Sequence, residues 1–414
     1  MFAQIYHNLI LKNPKSIFII LLIVLLSFGY HSKEFRLDAS SETLLIEGDP
    51  DLKYLKEISK RYGSKEFLIL TYTPNDGMIS DTSINNLLSL KYKIQSLDWV
   101  HSVVTLLDIP LLNSSDLPLQ ERLKNFKTLK DENIDRERGF DEITSSPVFR
   151  NFVISEDGNT SGIIVYLKEN QELKNLEKKS EKEIELLKDQ VKKQNHLNIL
   201  EIRDVIKSYE DIGKIHLGGI PMIADDMMSF IKSDIIVFGI GVLLFIIGTL
   251  WLVFKKLIWI LVPISSCFFS VIIMIGILGL LGWKVTVISS NFIALMLILT
   301  MAMNIHMSTR FLQLKEKFPN KKIFELITLT TEKMFWPILY TVLTTIIAFL
   351  SLIFSEIKPI IDFGWMMTLG LITSFVITFT LLPTLVNFVP KENIFLEDYK
   401  ESFITSFFAK ISQN

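Results

Sequence analysis

The residues best placed to do chemistry are polar ones stranded in apolar sequence. Asn304 and His306 close a run over 285–306, Thr344 and Thr345 lie inside a run over 335–354, and Ser289, Ser290 and Asn291 lie near the start of the first. Polar groups at membrane depth are costly and therefore usually functional. A histidine exchanges protons near neutral pH. Asn304 and His306, facing the interior of a bundle and paired with Thr344 or Thr345, thus form a candidate proton or polar relay. Ser289, Ser290 and Asn291 are candidates to line a cargo or water path. The competing role for all seven is helix packing through hydrogen bonds worth about 0.6 kcal/mol each, with His306 reaching the boundary beside Arg310.

Six apolar runs must position these groups: 16–30, 235–254, 257–281, 285–306, 335–354 and 360–389. Most reach the roughly 20 residues that carry a helix across ~30 Å of hydrocarbon. The fold class expected is a membrane α-helical bundle of six transmembrane helices plus an extracytoplasmic α+β domain. Composition agrees: 49% hydrophobic residues and 30 Phe coexist with 21% charged residues, so a membrane sector and a solvated sector are averaged. No basic stripe interleaved with aromatics suggests a nucleic-acid partner. The single cysteine, Cys267, excludes a disulfide framework and a Cys-based metal site. No His/Asp/Glu cluster at metal spacing, no Ser-His-Asp arrangement and no phosphate loop is present, so neither a metal, a cofactor nor an enzymatic activity is expected.

Lys and Arg in short loops set the orientation. With a cytoplasmic N-terminus, Lys12, Lys15, Lys255, Lys256, Arg310, Lys315, Lys317, Lys321, Lys322 and Lys333 fall inside, leaving Lys284 and Lys358 in the opposite short loops. This divides the chain into a cytoplasmic amphipathic N-terminus (1–15), a first transmembrane helix (16–31), an outward, periplasmic domain (32–232), five further helices (233–389, with a cytoplasmic loop at 308–334) and a cytoplasmic tail (390–414). The first run reads as a retained signal anchor rather than a cleaved signal peptide. Within the loop, 318–334 is basic and amphipathic, fit to lie on the membrane surface.

In the outward domain, 65–73 is strand-like and ends at the turn signal Pro74-Asn75-Asp76-Gly77. Helical spacing follows over 80–97, then a strand-like 99–107. Residues 151–155 and 162–167 flank Glu156-Asp157-Gly158-Asn159, a hairpin signal. A charged helix over 170–194, with a solvated outer face, and a short strand at 214–218 complete the pattern. The stretch 113–142 reads as irregular. Two β-α-β blocks suggest two small subdomains of ferredoxin-like type.

Several segments carry a resemblance. Pro337, Thr344-Thr345, Ala348-Phe349-Leu350-Ser351-Leu352, Pro359, Phe363-Gly364, Gly370 and Leu382-Pro383 resemble the fifth and sixth helices of RND-superfamily exporters, nearest to the MMPL branch and its sterol-sensing-domain relatives. Asp38-Ala39-Ser40 and Asp49-Pro50 resemble the start of that branch's porter domain; Ile288 to Phe292, Ile305-His306 and Arg310-Phe311 resemble its fourth helix. The resemblance implies an inner-membrane, proton-driven exporter of hydrophobic or lipidic molecules. Proton-driven members usually carry an Asp four residues before that His. Here the position is Ala302, between Met301 and Met303, and no acid lies mid-run.

Full-length exporters of this kind hold two repeats of one helix, an outward domain and five helices. One repeat is present here, and the closing stretch 402–412 has the amphipathic character of 2–12. A homodimer, or a heterodimer with a separately encoded second half, is therefore expected, a truncated gene being the third explanation. The partners implied are the bilayer, a lipidic or hydrophobic substrate and that second half. Two other classes compete: a non-transporting lipid- or sterol-sensing scaffold, and a protein-translocation accessory.

Overall fold

The computed structural model describes residues 12–38, 49–62, 66–112, 126–131, 134–169 and 180–389. Residues 2–11, Ala39-Ser40, 113–125, the positions 170–179 at which the charged helix is expected to open and the stretch 402–412 lie outside them. The chain divides into two compact units, 48–227 and the remainder.

In chain order the elements are α1 (Pro14–His31), β1 (Arg36–Leu37), α2 (Pro50–Tyr62), β2 (Phe67–Pro74), α3 (Asp81–Gln95), β3 (Val100–Val104), α4 (Arg136–Ser145), β4 (Ser161–Leu167), α5 (Glu181–Lys207), β5 (Gly213–Gly218), α6 (Ile220–Phe254), α7 (Ile258–Leu281), β6 (Lys284–Val285), α8 (Phe292–Lys317), α9 (Ile323–Leu350) and α10 (Lys358–Phe388).

In the 48–227 unit, β2, β3, β4 and β5 form one antiparallel sheet of order β3-β4-β2-β5. The alternation in β2 sends Leu68, Leu70 and Tyr72 into the core, because successive strand residues face opposite ways. Ile84, Leu87, Leu90 and Ile94 of α3 meet that face at helical spacing, with Ile199 and Ile202 of α5. Ser80 caps α3, and the Ser180–Glu183 capping box starts α5. The two β-α-β blocks expected as separate subdomains are thus a single sheet. β2 pairs with β4 and β5 of the second block, since two strands alone are too few for independent stability. The hairpin signal gives a tight turn: Ile154 bridges Ser161 and Gly158 takes φ +71°. There Ser155 Oγ, then Asn159 through its side chain and N–H, bind the Asp157 carboxylate and hold its pKa down to about 2. Asp108 is partly buried, which raises its pKa. Hydrogen bonds from Lys91 Nζ (2.5 Å) and the Thr105 N–H (2.8 Å) outweigh that and leave it below the ordinary value.

The other unit is helical. Among the described residues six helices are long and apolar enough to cross a membrane. In α7, α8 and α10 half or more of the apolar window is buried, against 6% in α1 and 11% in α6 and α9; the first three form the bundle centre and the others its rim. A Cβ on Gly276 or Gly279 would fall 2.2 Å from the carbonyl oxygens of Phe28 or His31, so these glycines let α1 lie directly on α7. β1 pairs in parallel with β6, and the Asp38 N–H reaches the Val285 carbonyl at 2.8 Å.

Several boundaries differ from the sequence expectation. The stretch 113–142, expected to be irregular, ends in α4, which Asp135 starts by accepting from the Arg138 N–H and which buries Ile143. The charged helix expected to stop at 194 continues in α5 to Lys207, where Ile199, Ile202 and Val205 join the core. α8 runs past 306 to Lys317. α6 starts at Ile220 rather than at 235, because Pro221 suits a first helical turn and α5 supports the polar beginning: Asn195 Nδ2 donates to the Pro221 carbonyl, His196 contacts Asp225 at 2.9 Å and Arg203 Nη2 contacts Asp226 at 2.7 Å. α8 begins at Phe292 rather than at 285, the intervening residues going to β6 and a turn. The surface helix expected over 318–334 is instead largely the opening of α9, unbroken from Ile323, since after Pro319 no breaker occurs before Pro337. The loop expected over 308–334 thereby shrinks to 318–322.

Candidate functional site

Asn304 lies fully buried where α7, α8 and α10 meet. Hydroxyls of Ser266 and Thr378 donate to its Oδ1 at 3.3 and 3.1 Å. Its Nδ2 donates to the Pro263 carbonyl at 3.1 Å and to Cys267 Sγ at 3.6 Å. An amide offers two donors and one two-lone-pair acceptor, so Asn304 is saturated. One turn toward the α8 N-terminus, Thr300 Oγ1 donates to Ser374 Oγ at 2.7 Å, and Ser270 Oγ donates to the Ser266 carbonyl at 3.0 Å. All of these side chains are buried and none is a carboxylate. The cluster ties three helices together through neutral groups.

The proposed pairing of Asn304 and His306 with Thr344 and Thr345 does not form as a unit. Residues two apart on a helix point about 200° from each other, so the buried Asn304 leaves His306 on the exposed side of α8. His306 and Thr345 line one groove between α8 and α9, together with Thr341 and Ala302. Thr344 is not among its lining residues; its hydroxyl donates to the Thr341 carbonyl at 2.9 Å, and that of Thr345 reaches the same oxygen at 2.8 Å. Ser289 and Ser290 are buried in the turn before α8: Ser289 Oγ accepts from the Thr286 N–H at 2.8 Å, and Ser290 Oγ donates to the Val287 carbonyl at 2.8 Å. Asn291 is exposed at the N-cap position without a side-chain cap bond. Their observed contacts close a turn.

Sequence reasoning passed over Ser266, Ser270, Thr300, Ser374 and Thr378. A signal was present: 266/270, 300/304 and 374/378 are each four apart, one face of a helix in three different runs.

The profile of the MMPL family matches residues 112–402, well over half of the chain. The chain belongs to the MMPL family. With six apolar helices it is a multi-pass membrane protein of RND type. No individual curated protein matches it. The MMPL match takes in α4, β4, α5, β5 and all of α6–α10, and so includes both the Asn304 cluster and the groove. In this MMPL protein Ala302, the position at which the resemblance implies an Asp, is exposed in the groove beside His306 and not in the Asn304 cluster.

Proposed function

We propose that this chain is one repeat of an RND/MMPL-type inner-membrane exporter of lipidic or hydrophobic compounds, working with a second copy or a separately encoded second half. The observation that carries the reading is the family match, which spans five of the six apolar helices among the described residues. The 48–227 unit supports it: β2-α3-β3 and β4-α5-β5, joined through α4, share one sheet of order β3-β4-β2-β5, and we read that sheet as one ferredoxin-like porter module, facing the periplasm, with both chain termini in the cytoplasm. Lys255, Lys256, Arg310, Lys315, Lys317, Lys321 and Lys322 flank the helix ends assigned to the cytoplasm, which favours this orientation.

Energy coupling is assigned to the partner. A proton relay needs a group that changes charge within a connected path; Asn304 with its hydroxyl partners is neutral and already saturated, and His306 stands apart from that cluster on the exposed side of α8. The test is reconstitution in vesicles with an imposed pH gradient. The chain together with its second half should move a fluorescent lipid across the bilayer and stop when the gradient is collapsed; no movement by any such assembly rejects transport. The same neutral core favours a second reading, a lipid-sensing scaffold. Lipid binding that persists at equal affinity with an uncoupler present, and no movement at all, would select it.

A further inference from the structure

The groove between α8 and α9 has a volume of about 250 Å³. Its wall is apolar, with Leu299, Met303, Ile338 and Val342, and the small side chain of Ala302 keeps it open. Two of its three polar side chains are already committed: Thr341 Oγ1 donates to the Pro337 carbonyl at 3.0 Å, and Thr345 Oγ1 to the Thr341 carbonyl. The third is His306, exposed in the groove, for which no hydrogen bond or ion pair is found among the described residues. Arg310 follows one turn later on the same face of α8, where residues four apart are neighbours, and adds a permanent positive charge. On the α9 side Glu332 and Lys333 precede Met334 and offset each other. One end of an apolar slot is thereby positive.

We propose that this groove is a binding site for a single-chain amphiphile with an anionic headgroup, a fatty carboxylate being the simplest. The chain lies along Leu299, Met303 and Ile338 while the headgroup accepts hydrogen bonds from His306 at the Arg310 end. Size favours one chain, because the volume falls below the roughly 300 Å³ at which sites for drug-sized ligands begin. The charge favours an anion over an alcohol or a zwitterion. Binding of this kind requires no translocation, so it is independent of the transport reading.

The experiment is photolabelling of the full chain, reconstituted in phosphatidylcholine, with a diazirine fatty acid, followed by peptide mapping. Label should concentrate in 299–306 and 334–345. Excess palmitate should displace it and hexadecanol at equal concentration should not. His306→Leu should weaken labelling about tenfold or more, the usual effect of losing a hydrogen bond to a charged group. Ala302→Trp, which fills the slot without touching the headgroup end, should abolish it. Label spread evenly over the rim helices, or displaced equally by hexadecanol, would show ordinary bilayer chains and overturn the proposal. So would absence of label together with disulfide cross-linking of two copies through Ala302→Cys, which would show the groove covered by a second copy.

Discussion

Asn304 is the residue on which the bundle centre turns, because one side chain serves three helices with four hydrogen-bond contacts. Interhelical hydrogen bonds in membranes average about 0.6 kcal/mol and reach about 1.7. Asn304→Ala should therefore lower bundle stability by roughly 1–2 kcal/mol, read as a lower melting temperature in detergent. His306→Ala, on the exposed side of the same helix, should leave it unchanged. Asp108 makes the corresponding argument in the 48–227 unit. Its folded pKa lies below the ordinary 3.8, so the stability it contributes is complete above that value and is lost as pH falls through the lowered one. Asp108→Asn should destabilise the protein at pH 7, and the gap to the native protein should close below pH 3.8. A gap independent of pH would mean that the Lys91 and Thr105 contacts do not hold the carboxylate.

At the scale of elements, α1 and α7 show how close backbones must come in lipid, where no hydrophobic drive pushes helices together and small residues permit contact. Gly276 and Gly279 are three apart, so they present one face to α1. Gly276→Val would place its first side-chain carbon on the Phe28 carbonyl and should separate the helices at a cost of about 1–3 kcal/mol or more. Gly282→Ala, with open space around it, should cost only the strain of its left-handed φ of 66°. Thermal melts of the two variants decide this, and equal losses would contradict the packing account. Element boundaries were also the least legible feature in sequence. Hydropathy located each apolar run but missed the starts of α6, α8 and α9: the polar opening of α6 is held by neighbours that hydropathy does not register, α9 opens amphipathically before its apolar run, and the apolar residues from 285 go to β6 and a turn before α8. Asp225 and Asp226 look like loop residues until His196 and Arg203 meet them across α5.

For the whole molecule, the apolar runs gave the six-helix outline directly, because length and composition alone decide whether a segment can cross hydrocarbon. The pairing of strands was less accessible. Local signals at Pro74–Gly77 and Glu156–Asn159 located turns, yet nothing local indicates that β2 lies between β4 and β5; that follows from which apolar faces must be buried together. The candidate site was half legible. Asn304 and His306 stood out as polar residues in apolar sequence, whereas helical phase places them on opposite sides of α8, and the hydroxyls that saturate Asn304 come from two other helices. The account depends most on six crossings with the 48–227 unit on the non-cytosolic side. Cys267, the sole thiol, is buried, so single cysteines introduced at exposed positions can be read against a silent background. Labelling intact cells with a membrane-impermeant maleimide admitted to the periplasm should mark Lys93→Cys and leave Lys321→Cys unmarked until the inner membrane is opened. The reverse pattern would contradict the topology and the export reading with it.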